Sequence, residues 1–423
     1  MSKKMILLVI FGLLSAILAG CGAAKEEGKK ETETEPDKVT LTIRNPKVEI
    51  ATEFEQMVSA YEKEHPGVDI TVETIGGAAD DYSDITAKLA AGAGPDIFTN
   101  LGNDAAKEWL RYLEDLSGEP WVKRASDRVL GGITLDGNVY GMPMNIEGFG
   151  IVYNRELFEK AGISSPPSTF SELKDAARKL DAAGIMPFAN GYYEDWKLGH
   201  HMASVAFAQQ DGGFIEGMND GSASFEENPL FQDLFSLLDL TVRYGNERPT
   251  KTDYYTELDL FTDGKAAMAL QGNWIQPLLD GKDISTGIFP VPLNDQSESR
   301  ILAGVPGYWV INKQSSPEKK QEAKRFLDWM VSSRKGQEFM TEKFHFIPAF
   351  RDIPVTDLGP LGQETLNLIK ETDTFNWSSF SPCLKKEMGE IMQAQINQEI
   401  SRQQALETFD RTWNQGTCPS PSS

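Results

Sequence analysis

Val39 to Arg44 alternates apolar and polar positions and is rich in β-branched residues, which predicts a strand. Phe54, Met57, Val58 and Tyr61 then recur at i, i+3, i+4 and i+7, an amphipathic helix that ends before Pro66. Val68 to Thr74 alternates again, Tyr82 to Ala91 returns to helical spacing, and Asp96 to Thr99 forms a short strand after Pro95. Strand, helix, strand, helix, strand predicts a parallel sheet covered by helices. Such sheets leave ligand crevices at the carboxyl ends of their strands.

A second α/β segment follows. Gly148 to Tyr153 reads as a strand, and Thr169 opens a helix with a capping box to Glu172 and a buried stripe of Phe170, Leu173, Ala177 and Leu180. Pro229 to Tyr244 is a further helix, and strands are expected at Ala266–Leu270, Gly287–Phe289 and Tyr308–Ile311. Ser316 and Pro317 begin a helix whose stripe is Ala323, Phe326, Leu327, Met330 and Val331. The chain beyond Phe346 is mostly helical in pattern. Two α/β lobes are therefore predicted.

The first residues carry an address. Lys3 and Lys4 precede a near-continuous apolar run from Met5 to Leu18, which as a helix rises about 21 Å, short of a hydrocarbon core of about 30 Å. That favours a secretory signal over a membrane span. The run ends in Leu18-Ala19-Gly20-Cys21, which resembles a bacterial lipobox and implies cleavage before Cys21 and acylation of its thiol. Residues 1–20 are then a signal peptide. Residues 21–38, rich in Glu, Lys and Thr, are a lipidated cysteine and solvated tether. The folded chain would stand at the outer face of the cytoplasmic membrane, held only by lipid.

Composition narrows the chemistry. The 423 residues carry 63 acidic against 41 basic side chains, a net charge of −22, and no basic footprint for nucleic acid. The three cysteines, Cys21, Cys383 and Cys418, offer no zinc site; Cys383 and Cys418 are a candidate disulfide. Of the four histidines only His200 and His201 adjoin, and neighbours on a helix point apart, so no metal or cofactor is expected. No G-x-S-x-G, phosphate-binding loop or dinucleotide fingerprint occurs. Ser171 to Lys174 matches S-x-x-K only on an ordinary amphipathic helix, and Asp259, Asp263 and Gly264 lack calcium-loop spacing. With 63 acids, a carboxylate pair for glycoside hydrolysis stays open as the enzymatic alternative.

Aromatic residues off the amphipathic stripes remain. Trp196, Trp274 and Trp309 lie near Gly, Asn or Asp, where a ring can stack on the C–H face of a sugar while amides and carboxylates bond its hydroxyls. Trp329 and Trp413 read as packing.

Several stretches then line up: Tyr61 to Val68 (YEKEHPGV), Ala91 to Ile97 (AGAGPDI), Tyr140 to Pro143 (YGMP) leading to Gly150 to Asn154 (GIVYN), Phe261 to Met268 (FTDGKAAM) with Gly272 to Trp274 (GNW), and Gly307 to Ile311 (GYWVI), followed by a long helix and Ile347 to Ala349 (IPA). In this order, behind a lipobox, they resemble the family 1 extracellular solute-binding proteins of sugar ABC transporters, which include the maltodextrin- and multiple-sugar-binding proteins. The resemblance spans roughly residues 39–350. It implies a two-lobed, hinge-linked periplasmic-binding-protein-like fold of type II, with lobe 1 at 39–145 plus 288–345 and lobe 2 at 146–287 plus 346–423. A ligand would lie in the cleft and be buried by hinge closure.

Site residues carry over where the motifs match. Glu147 takes the place of a cleft carboxylate and Trp274 that of the stacking tryptophan, with Asn273 beside it. Tyr193 and Trp196 match a second-lobe loop, Tyr308 and Trp309 are candidates for a second platform, and Asp96 and Asn103 lie at and after the third strand. The loop Asn45 to Ile50 and the C-terminal region depart from the maltodextrin pattern. The resemblance implies a monomeric, non-enzymatic, lipid-anchored receptor that captures a mono- or oligosaccharide and delivers it to membrane permease subunits. The alternatives are a secreted lipoprotein glycoside hydrolase and a sensory binding subunit.

Overall fold

The computed structural model describes residues 38–76, 81–211, 213–296, 300–371, 374, 376–377 and 381–415. The signal segment, Cys21 and Cys418 lie outside the described residues; Cys383 is disulfide-bonded.

β1 (Val39–Asn45) pairs in parallel with β2 (Val68–Thr74) on one side and with β3 (Ile97–Asn100) on the other. The predicted helix between the first two strands is present at Ala51–Glu64 and buries Phe54, Met57, Val58 and Tyr61. Arg44, at the carboxyl end of β1, is 2% exposed and meets Glu73, Asp81 and Asp84 at 2.6, 2.7 and 2.7 Å. One guanidinium thus fixes the ends of two strands to the start of the helix Asp81–Ala90. A short hairpin, β4 (Thr134–Leu135) and β5 (Asn138–Val139), precedes β6 (Met142–Pro143) at the edge of this sheet.

The chain then crosses to a second sheet. β7 (Glu147–Asn154) is buried at every position, as a strand covered on both faces must be. It pairs antiparallel with β9 (Ala266–Gly272), β10 (Thr286–Phe289) and β11 (Leu302–Gly304), while β8 (Met186–Ala189) pairs in parallel with β9. After β11 the chain returns to the first sheet as β12 (Tyr308–Ile311), antiparallel to β3 and β6. Only the first three strands form the parallel arrangement that strand–helix alternation predicts. The second sheet is mixed, because its connections are long enough to bring a strand back in either direction.

Two hydrophobic clusters follow the sheets. One contains Leu41, Ile43, Ile97, Phe98 and Val310; the other Ile151, Val152, Phe188, Met268 and Ala269. Ile288, Phe289, Val291, Ile301 and Leu302 lie in the second cluster, so the segment expected from 288 onward in lobe 1 belongs with the second sheet until Gly304. Phe346, Ala349, Phe350 and Ile353 pack in the first cluster, and the chain rejoins the second only at Leu361. Each shift has its own pairing: β10 and β11 close the open edge of β7, and Ile347 bridges back to Ile146. Helices Gly359–Glu371, Pro382–Ile396 and Arg402–Gln415 fill the predicted helical tail.

Asp96 precedes β3 and is 4% exposed. It accepts from the Thr42 backbone N–H at 2.9 Å, the Thr42 hydroxyl at 3.0 Å, the Ser315 hydroxyl at 2.6 Å and Lys319 Nζ at 3.0 Å. This carboxylate locks β1 to the helix Pro317–Ser332 instead of facing a ligand. Replacing it by alanine strands these donors, and Asp96→Ala is expected to lower unfolding free energy by about 3 kcal/mol in urea titration. Solute affinity of the fraction that remains folded should be unchanged.

Candidate functional site

Where the chain first crosses between sheets, β7 opens with a carboxylate. Glu147 is 2% exposed, and its oxygen accepts from Lys47 Nζ at 2.5 Å and from Asn145 Nδ2 at 3.2 Å. Lys47 comes from the loop after β1. Asn45 holds that loop by accepting the Lys47 N–H and donating to the Lys47 carbonyl, both at 3.0 Å. Two residues on, Glu49 accepts the hydroxyl of Tyr254 from the second-sheet side. Burial pushes both the Glu49 carboxyl and the Tyr254 phenol up, for Glu49 against the Coulombic pull of Lys47.

Trp274 follows β9. Its ring lies parallel to Phe149, with centroids 6.2 Å apart, and the Lys47 ammonium stands 5.9 Å from its centre. The turn works because position 272 is glycine: a Cβ there would lie 2.1 Å from the Trp274 ring. Asn273 is 2% exposed, and its Oδ1 accepts the Gly148 N–H at 2.8 Å, tying this turn to the start of β7.

The facing wall is a π-helical turn, Lys197–Met202. Such turns are wider than an α-helix and occur often at functional sites. Here the turn sets His200 and His201 side by side, with ring centres 5.2 Å apart, against the expectation that adjacent residues point away from each other. His201 sits 5.0 Å from Trp274 and 5.0 Å edge-on to Trp196; Trp377 stacks on His200 at 5.4 Å. Gly199 permits the turn to press on the helix Pro382–Ile396, since a Cβ would meet the Lys385 carbonyl at 1.7 Å.

The electrostatics of this cluster are set by burial. His200 Nδ1, His201 Nδ1 and Trp377 Nε1 are buried with no hydrogen-bond partner among the described residues, and so is Asn145 Oδ1. Burial first, then nearby lysines (Lys385 foremost for His200, Lys197 for His201), holds both imidazoles well below their usual range. Burial also pushes the Lys385 ammonium down to about 8, against the Coulombic pull of Asp104. The site therefore offers ring faces and neutral ring nitrogens. Among the described residues no group of His, Cys, Asp and Glu is arranged to hold a metal ion.

The predicted residues divide. Glu147, Trp274, Asn273 and Trp196 come together with the aromatic cluster. Asn103, with φ of 52°, begins the helix Asp104–Trp109 on the first-sheet side, next to the Asp104 whose charge reaches Lys385. Tyr193 is 48% exposed on the surface. Trp309 is not a platform: it is 2% exposed and packs 5.5 Å from Phe54 in the first core. Tyr308 points the other way but is buried too, its ring fitting against Gly102 and Gly132 and its Cβ against Gly141, and burial pushes its phenol up to about 12. Both faces of β12 are covered, so neither residue reaches the cluster. Lys47, Tyr254, His200, His201 and Trp377 were not expected. Only the His-His pair carried a visible signal, and an α-helical assumption hid it.

The family described as bacterial extracellular solute-binding protein matches residues 46–337, and the chain belongs to that family. It is similar to the multiple sugar-binding protein of Streptococcus mutans, 24% identical over 349 residues that cover 80% of each chain. It is similar also to the melibiose/raffinose/stachyose-binding protein MelE of Bacillus subtilis, 26% identical over 353 residues and 76% of each. Among solved structures, a chitin oligosaccharide binding protein superposes with a TM-score of 0.77 at 21% identity, covering 90% of this chain and 99% of that one. The solute-binding protein RafE in complex with raffinose gives 0.76 at 20% identity, covering 89% and 99%. The fold is thus the two-lobed solute-binding fold, and the protein's role is solute binding.

The histidines make stability depend on pH. Unfolded, each imidazole titrates near 6.5; folded, it resists protonation, so the unfolded chain binds the extra protons. Their stabilising contribution is complete above about pH 7 and is lost as pH falls below about 6.5. Between pH 7.5 and 5.5 the wild type should lose about 1 kcal/mol per histidine more than a His200→Gln/His201→Gln variant in urea unfolding. Equal losses in the two proteins would refute neutral, buried histidines.

Proposed function

We propose that this protein captures a sugar or oligosaccharide between its two sheets and passes it to an ABC importer. The observation that carries the reading is the aromatic cluster of Phe149, Trp196, Trp274 and Trp377 with His200 and His201, in which His200 Nδ1, His201 Nδ1 and Trp377 Nε1 are buried without a hydrogen-bond partner among the described residues. Apolar ring faces suit the C–H face of a pyranose, and unpaired donors and acceptors at their edges suit its hydroxyls. A buried polar atom without a partner costs about 1–3 kcal/mol, so hydroxyls that pair with these nitrogens gain that back on binding.

Relatives named for raffinose, stachyose, melibiose and maltooligosaccharides support a saccharide as the ligand. Transport is supported by the relative described as a maltooligosaccharide ABC transporter solute-binding lipoprotein. The same name, with the Leu18 to Cys21 motif, supports a lipid anchor at Cys21 outside the cytoplasmic membrane. Metabolic labelling with palmitate should mark the wild type and not Cys21→Ala.

Tryptophan fluorescence of the chain from residue 22, titrated with raffinose, stachyose, melibiose and maltotriose, tests the ligand class. At least one sugar should give a saturable change without hydrolysis, and Trp274→Ala should weaken it by at least about tenfold, the loss of one stacking face. No response to any saccharide would sink the sugar reading. Product formed in the cuvette would favour a hydrolase.

A further inference from the structure

Behind the Trp274 ring a line of buried polar groups runs into the second core. The indole Nε1–H donates to Gln271 Oε1 at 3.0 Å, and Gln271 Nε2 donates to Glu257 Oε2 at 3.0 Å. Lys197 Nζ donates to that same carboxylate oxygen. Gln271 is 0%, Glu257 1% and Lys197 3% exposed. The three come from β9, the helix Tyr254–Thr262 and the π-helical turn, so the line joins three separate elements.

A buried ion pair is not an economical way to fill a core. Desolvation offsets most of its attraction, and apolar residues of the same volume usually stabilise as well or better. Its value here is directional. Burial pushes the Glu257 carboxyl up and the Lys197 ammonium down, and their mutual attraction opposes both shifts. Glu257 Oε2 accepts from Lys197 Nζ and from the Gln271 amide, which therefore turns its NH2 toward it. The amide oxygen then faces Trp274, whose indole can only donate. With the amide reversed, two donors would face each other and the carboxylate would meet the carbonyl. Gly272 lies under the ring and Phe149 beside it, so the hydrogen bond at Nε1 fixes the remaining freedom of tilt. The Lys197 ammonium also stands 6.0 Å from the Trp196 ring and 5.6 Å from the Tyr254 ring, so one ion pair references both walls.

We propose that Lys197, Glu257 and Gln271 are positioning residues that hold the Trp274 ring ready for its ligand and raise affinity without touching it. The gain is preorganisation: a ring already at the stacking angle loses no rotamer freedom on binding. The inference rests on Trp274 as the ligand-stacking face, but the positioning itself is measurable without ligand.

The near-UV circular dichroism band lost in Trp274→Phe identifies the ordered Trp274 ring in the full-length protein. Gln271→Leu should lose most of the same band, and should cause no further loss when added to Trp274→Phe. Single removal of Glu257 strands a buried ammonium, so the ion pair is replaced together as Lys197→Met/Glu257→Leu. That variant should fold, judged by far-UV dichroism and a cooperative thermal transition, and lose the same band. An intact band in folded Gln271→Leu, or additive losses, would overturn the proposal. With raffinose as probe, Gln271→Leu should weaken binding about tenfold, the order expected for one freed aromatic side chain, and have no effect in the Trp274→Phe background. A tenfold loss undiminished in that background would also overturn it. Absence of binding of raffinose and of every other saccharide tested would count against the sugar reading, while the dichroism result still decides the positioning.

Discussion

The contact on which the arrangement depends is the ion pair between Lys47 and Glu147. β7 is buried at all eight positions, and its first residue is a carboxylate. An unpaired charge there would cost several kcal/mol, so the strand can begin in that place only if a cation is delivered to it. The cation comes from the loop after β1, in the other sheet, and Asn45 shapes that loop from both sides of the Lys47 peptide. The pair therefore ties the carboxyl end of the first sheet to the start of the second, at the point where the chain itself crosses. Val48, next in the loop, packs against the second core, and Glu49 reaches Tyr254. Three successive residues thus carry a charge, an apolar contact and a hydrogen bond across the same gap.

From that tie the position of the aromatic cluster follows. Phe149 lies two residues beyond Glu147 on β7 and pairs in register with Gly272, which makes room for Trp274. The cluster is closed on the far side by the π-helical turn, which is itself wedged at Gly199 on the helix Pro382–Ile396. Lys385 of that helix feels Asp104 from the first-sheet side, and Ser381 donates to Glu108 on the same short helix. The C-terminal helices therefore complete the site: they support the wall that β7 and β9 cannot supply.

Much of this was legible in the chain. Alternation in Val39 to Arg44 and Val68 to Thr74 and the helical stripe of Phe54 to Tyr61 located β1, β2 and the helix between them. Glu147, Asn273 and Trp274 were singled out through the family resemblance of the motifs around them, and they lie at the start of β7 and directly after β9. What misled was the assumption that one face of a strand is free. Trp309 and Tyr308 alternate as a regular strand requires, yet helices cover one side of β12 and the 100–141 segment covers the other, so alternation carried no information about the cleft. Asp96, after Pro95, already read more readily as a loop-fixing residue than as a ligand carboxylate, and its four donors show the structural role. Lys47, Tyr254 and Trp377 belong to segments far apart in sequence, and no local pattern reports a meeting across a crossing.

The charges around the site constrain what it can recognise. The chain carries a net charge of −22, while Lys47 and Lys197 are each already matched to a carboxylate. An anionic ligand would therefore approach against the long-range field and find its nearest cations engaged. A cationic ligand would have to compete with Lys47 for Glu147. A neutral ligand meets neither obstacle, and the ring nitrogens of the cluster without partners among the described residues sit on imidazole and indole rings whose neutral forms are favoured by burial. Burial first, with the nearby lysines second, resists protonation of these imidazoles; with uncharged donors and acceptors, the site distinguishes ligands by where their hydroxyls lie. Geometry then carries the discrimination, and geometry is what the buried pairs behind the rings maintain.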